Sequence, residues 1–299
     1  EHALEAYKKG VDDLVASMEK DSNSIGMDDS QNSDDSLSDT KKQLCGAYCS
    51  LAELYMTDLC MQEDAEQQCE SHVQLAMSIV DPKDGKPMMD ALQALANLRL
   101  SQKRRTEAVQ IALQAYEKMK VGCEALSTLV GLGRDQDSSL LGDTKAMDSR
   151  ELVQVDAANS LPGFEFRCQT AKILLECAAQ GDLEDCKLCA EAAVQVLGSL
   201  LSENDEVIEV WFLIGCAFEA LKIEKSSKHY WTRAMEMLST VKQELESQFS
   251  AAELEEDEDE QDELEAQLEG LQQQIDEIEA KLESLDDGNE EEAVPMEED

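Results

Sequence analysis

Residues 206–238 read EVIEVWFLIGCAFEALKIEKSSKHYWTRAMEML, and the spacing of their apolar side chains decides the fold. Trp211, Ile214 and Phe218 recur at steps of three and four, which puts them on one face of a helix. Gly215 leaves a gap in that face. After a polar break at Lys222–Lys225, the residues Ser227, Trp231 and Ala234 repeat the device on a second helix. Small residues at Gly215, Ser227 and Ala234 let two helices approach closely. The bulky residues between them fill the groove against a neighbouring pair.

The same grid recurs outward from this stretch. At 89–122 it fits without a gap, through Leu92, Leu95, Ala96, Ala108, Ala112 and Ala115, with Arg99 where an aromatic residue is usual. At 45–82 it fits with a middle loop about five residues longer, and at 164–198 with about three extra residues, giving Thr170, Ala171, Leu174, Cys186, Ala190 and Ala193. Self-similarity at roughly 34 residues marks a stack of helix pairs, and this grid is that of the tetratricopeptide repeat (TPR). The expected fold is all-α: a TPR helical solenoid over 41–250 rather than a generic helical bundle. With 4% aromatic residues and four prolines, the composition favours helix over sheet.

The flanks read differently. Residues 1–20 form an amphipathic helix through Leu4, Tyr7, Val11, Leu14, Val15 and Met18. Residues 21–40, rich in Ser, Asp and Asn, read as a flexible linker. Residues 121–160 read as an irregular connection, with a further helix expected over Val121–Gly133. Leu264, Leu268, Leu271, Ile275, Ile278, Leu282 and Leu285 make an apolar heptad seam on an acidic helix over 251–285. Like charges along its flanks oppose self-pairing, so this helix is expected to cap the solenoid, which needs its open end covered. Residues 286–299 read as a disordered acidic tail.

Charge sets the class of partner. The chain has 67 Asp and Glu against 25 Lys and Arg, a net charge of −42. Residues 251–299 hold 23 acids and one basic residue, so about half the net charge sits in the last sixth of the chain. Such a surface repels nucleic acid and anionic membranes, and attracts basic protein segments. No secretory signal and no membrane-length apolar run is seen, and the ten cysteines fall mostly in apolar helical pattern. A reducing compartment with free core thiols is expected.

Catalytic chemistry is hard to assemble from these residues. The three histidines, His2, His72 and His229, are scattered, and no phosphate-binding Gly-rich loop occurs. Cys186 and Cys189 have the gap of a metal half-site but no second pair at matching spacing. They read, like Cys45 and Cys49, as core thiols. The chain is expected to be no enzyme and to need no metal or cofactor.

Binding is expected on the face lined by the first helix of each pair. The grid puts Glu53, Asp90, Gln93, Asn97, Glu165, Lys172, Glu209, Phe212 and Glu219 there. Repeat domains that grip acidic C-terminal peptides line this face with Lys, Arg and Asn. Here only Lys172 and Asn97 suit that task, and the acids better match a basic, extended ligand. Trp211, Gly215, Phe218, Trp231, Ala234, Ala96, Ala108 and Ala115 are expected to be structural.

LPGFEFRCQTAK (161–172), NDEVIEVWFLIG (204–215) and DAEQQCE (64–70) before Asp81–Pro82 carry a resemblance. Together with the repeat order and the acidic end, they resemble the eukaryotic assembly chaperones of large-subunit ribosomal protein L-four, over roughly 41–250. Cys216 departs from that family, which usually has an aromatic residue there. The resemblance implies a TPR solenoid that captures newly made L-four by its basic internal loop and shields it until the pre-ribosome is reached. It implies a cytoplasmic and nuclear protein, with the nuclear import machinery engaged through the client and no direct nucleic-acid or membrane contact. A general TPR scaffold or co-chaperone and a histone-type chaperone are the competing binding roles.

Overall fold

The computed structural model describes residues 2–24, 30–81, 85–128, 130, 161–180, 183–255 and 258–291. They form ten helices and no strand: α1 (His2–Ser24), α2 (Ser30–Met56), α3 (Ala65–Ile79), α4 (Gly85–Ser101), α5 (Arg105–Ser127), α6 (Phe164–Gln180), α7 (Leu183–Glu203), α8 (Ile208–Ala220), α9 (Glu224–Glu255) and α10 (Glu258–Glu291). The chain divides into two compact units. The first comprises Glu1–Val121 with Gln180–Asp185, and the second Gly122–Ala179 with Cys186–Asp299.

In the first unit, α1 to α4 pack in sequence neighbours, and α2 also meets α4. Val11, Leu44, Cys45, Tyr48, Leu51, Ala76, Val80, Met88, Leu92 and Ala115 form one buried cluster, with Leu4, Leu14, Val15 and Met18 of α1 against it. The amphipathic N-terminal helix is therefore part of this core. Small residues sit at the closest approaches: Ala52, Ala76, Ala96 and Ala108 have no exposed surface. His72 stacks between Tyr48 and Tyr55, with ring centroids 5.9 and 5.7 Å away. Arg99 is buried and makes a bidentate pair with Glu70 at 2.6 and 2.8 Å. The buried guanidinium thus meets its charge partner through two parallel bonds.

In the second unit, α8 and α9 pack as the quoted sequence requires. Trp231 is wholly buried, and its indole Nε1 donates to the Phe212 carbonyl at 3.1 Å. The indole lies directly over Gly215, where a Cβ would overlap the ring. Ser227 and Ala234 are also fully buried. Arg167 is a buried cation, held by Glu203 at 2.6 and 2.7 Å, Ser199 at 2.9 Å and the Pro162 carbonyl at 3.0 Å. The seam of α10 packs on this pair: Ile275 and Ile278 join Trp231, Ala234 and Leu238, with Leu271, Leu282 and Leu285 beside them.

The α4–α5 and α8–α9 turns are alike. Lys103 and Lys222 both take left-handed backbone angles, φ 58° and 59°. Arg104 N–H donates to the Arg99 carbonyl and Lys103 N–H to Leu100; Ile223 N–H donates to Phe218 and Lys222 N–H to Glu219. This six-to-one and five-to-two pattern is a Schellman cap, in which two otherwise orphaned carbonyls at the helix end are satisfied.

Three boundaries differ from the sequence reading. The supposed linker 21–40 is helical at both described ends, since α1 runs to Ser24 and α2 starts at Ser30; residues 25–29 lie outside the described residues. A helix nucleated by the buried Leu44–Tyr55 turns extends cheaply into a polar segment. Thr40 Oγ1 donates to the Ser36 carbonyl and Lys42 pairs with Asp39 along that extension. No separate helix starts at Val121: α5 continues through it to Ser127, because Cys123 and Ser127 are buried and hold the added turns. Most of 121–160 lies outside the described residues. Finally, α10 runs to Glu291, so the first part of the acidic tail 286–299 is helical, while 292–299 lies outside the described residues.

Candidate protein-binding surface

In the first unit, the expected positions fall on α2 and α4. Glu53 is exposed, while Asp90, Gln93 and Asn97 are half-buried. Glu53 and Asp90 come together around Cys49. That thiol is pushed up by its Cys45 neighbour first, then by burial and by the negative charges of Asp90 and Glu53. Burial also raises the Asp90 carboxyl, and Lys86 only partly offsets it.

In the second unit, Glu165 and Lys172 on α6 and Glu209 on α8 gather around Cys168. Lys172 Nζ lies 2.7 Å from Glu209 Oε1, with the two side chains 40% and 51% exposed. The bond to Glu209 raises the Lys172 ammonium above its ordinary value. Burial, then the Glu209 charge, pushes Cys168 up to about 11, and its Sγ lies 3.7 Å from Glu209 Oε2. The one lysine expected on this face is thus held by one of its acids. It does not stand as a free clamp for a carboxylate ligand.

Phe212 and Glu219 lie beside α10, Phe212 half-buried and Glu219 exposed. Phe212 packs into the α8–α9–α10 core, and Glu219 Oε2 accepts from Lys281 Nζ at 3.2 Å. Lys281, the one basic residue of 251–299, also lies 5.0 Å from the centre of the Trp231 ring. The apolar seam of α10 needs a partner and packs on α9, which brings Lys281 to Glu219 of α8. Cys216 of α8 joins the same core, and burial pushes its thiol up to about 11.

Sequence reading did not place Cys49, Cys168 and Cys216 beside these acids. Their signal is positional, since each lies three to four residues from an expected acid on its own helix. Cys168 and Cys216, held at about 11, are neutral thiols at physiological pH and weak nucleophiles. Among the described residues no three His, Cys, Asp or Glu side chains converge to hold a metal ion. No described helix is long and apolar enough to cross a membrane. What the surface offers is carboxylates on helices, Glu53 and Asp90 in one unit and Glu165 and Glu209 in the other.

No protein-family model matches the chain. Among curated proteins it is 31% identical over 206 residues to a protein of Schizosaccharomyces pombe (strain 972) named "Probable assembly chaperone of rpl4". The match covers 68% of this chain and 48% of that protein, so the chain spans about half the length of the relative it matches. Over two thirds of its own length, then, this chain is a homologue of a protein named as a probable assembly chaperone of rpl4, as the resemblance of its sequence implies.

Proposed function

We propose that this chain is a dedicated chaperone of large-subunit ribosomal protein L-four, and no enzyme. The single observation that carries the proposal is the 31% identity to a relative so named. The surface chemistry supports it. Glu53 and Asp90 in one unit, and Glu165 and Glu209 in the other, set carboxylates on helix faces within a chain of net charge −42. An unassembled ribosomal protein exposes cationic segments that bind RNA indiscriminately. Carboxylates neutralise them, and ribosomal RNA, with its higher charge density, displaces the chaperone later.

We read the fold as a TPR solenoid with α10 as its cap. The Gly215–Trp231 approach, the buried small residues on the grid, and the matching Schellman turns after α4 and α8 support that reading. The client segment is the basic internal loop of L-four, and the site of action is the cytoplasm and nucleus, with import machinery reached through the client. The co-chaperone alternative needs a cationic clamp, and the Lys172–Glu209 pair speaks against it.

Coexpression tests the role. L-four made with this chain should be recovered soluble as a stoichiometric complex, and should aggregate without it. Equal soluble recovery in both cases would sink the proposal.

A further inference from the structure

The first half of α9 carries a basic face within an acidic protein. Lys225, Lys228, His229, Thr232, Arg233 and Glu236 line an open trough of about 340 Å³. Their spacing of three and four puts them on one side of the helix, opposite the buried Trp231, Ala234 and Leu238. Lys222, in the turn before α9, adds a fourth full positive charge at the same end. Arg233 is matched to Glu236 at 3.1 Å. Lys222 and Lys225 make no ion pair with any described residue. Among the other described residues of this unit, Arg167 is matched to Glu203 and Lys172 to Glu209.

The register of α10 identifies what reaches this face. Lys242 Nζ donates to Gln272 Oε1 at 2.6 Å, and Lys281 Nζ lies 5.0 Å from the Trp231 ring centre. The two helices therefore run antiparallel, and the end of α10 at Glu291 comes level with the Lys222 turn. Residues 286–299 contain eight carboxylates and no Lys or Arg. The eight residues after Glu291 reach about 27 Å when extended, whereas Lys225 to Arg233 spans about 12 Å of helix. The N-terminal turns of α9 add positive potential from the helix dipole.

We propose that the polyacidic segment 290–299 docks in cis on the basic face Lys222–Arg233 of α9. Tethering beside the face gives the segment an effective concentration on the order of millimolar, so a few screened charge pairs hold it. A second copy is a poorer occupant, because two chains of net charge −42 repel one another. The docking sets the acidic end on the side of α9 facing away from its core.

Zero-length carbodiimide crosslinking of the full chain, on an equal mixture of ¹⁴N- and ¹⁵N-labelled protein, tests this. The expected products join Lys222, Lys225 or Lys228 to residues 290–299 within a single isotopic species, and fall away in 0.5 M salt. Links of mixed isotope would assign the face to a second copy and overturn the proposal. Links spread evenly over all lysines would do the same. A chain ending at Asn289 supplies a second readout: its backbone amide resonances over 222–236 should move relative to the full chain. In the full chain carrying Lys225→Glu with Lys228→Glu, the 290–299 resonances should match those of a free peptide of that sequence. Unmoved resonances in both variants would also overturn it.

Discussion

Replacing Lys172 with alanine should strengthen binding of a basic ligand. In the structure Lys172 Nζ sits 2.7 Å from Glu209 Oε1 and competes with any incoming cation for that carboxylate. The pair is substantially exposed, so its loss costs the fold only about 0–1 kcal/mol. A ligand cation beside Glu209 would stand about 5 Å from the Lys172 ammonium, a repulsion of about 0.8 kcal/mol in water. With the carboxylate also released from its partner, the gain is about 1 kcal/mol, or roughly fivefold in affinity. The assay is fluorescence anisotropy of a labelled Lys/Arg-rich peptide with wild type, Lys172→Ala and Lys172→Arg. Lys172→Arg should behave as wild type. The fivefold gain should be seen at 50 mM salt and should vanish by 0.5 M, where screening extends over only about 4 Å. Weaker binding in Lys172→Ala, with a melting temperature near that of wild type, would rule out this competition. It would mean that Lys172 holds Glu209 in place for the ligand instead of competing with it.

Other perturbations test the fold. Gly215→Ala drives a methyl group into the buried Trp231 indole, and should destabilise the second unit by about 1–3 kcal/mol in thermal melts; an unchanged melt would contradict the packing described. Lys103→Gly relieves a left-handed backbone at a helix cap and should raise stability by about 0.5–1 kcal/mol in urea titrations. The Glu70–Arg99 pair makes a pH prediction. Arg99 holds the Glu70 carboxyl down to about 2, against 4.5 for a free glutamate. A depressed carboxyl stabilises the fold fully above about 4.5, and that support fades as pH falls toward 2. After allowance for solvent screening it is worth about 1–2 kcal/mol, so Glu70→Gln should lower stability at pH 7 but hardly at pH 2.5.

The helix pairs were legible because their signal is local and redundant. Trp211, Gly215, Phe218, Trp231 and Ala234 each reinforce the same period, and Gly215 under an indole is what that period demands. The heptad seam of α10 was legible for the same reason, since a continuous apolar stripe must find a surface. The polar start of α2 was misread because local composition lacks the stabilisation that arrives from the buried turns further along. The fate of Phe212 and Glu219 was hidden for a different reason. Repeat spacing says which way a side chain points along α8, not that Lys281, some 60 residues later, will pair with Glu219 beside a half-buried Phe212. The Lys172–Glu209 pair likewise joins residues 37 positions apart, and nothing in either local pattern announces the partner. Charge, by contrast, was readable in aggregate though not residue by residue.

Calorimetry decides whether carboxylates on this chain hold the basic loop of L-four. Intact L-four and L-four lacking its basic internal loop should be titrated into the full chain at 50, 150 and 300 mM salt. Tight binding of the intact protein that weakens steeply with salt, and loss of most of that affinity on deleting the loop, is the predicted result. Equal affinity for both proteins, or binding indifferent to salt, would contradict it.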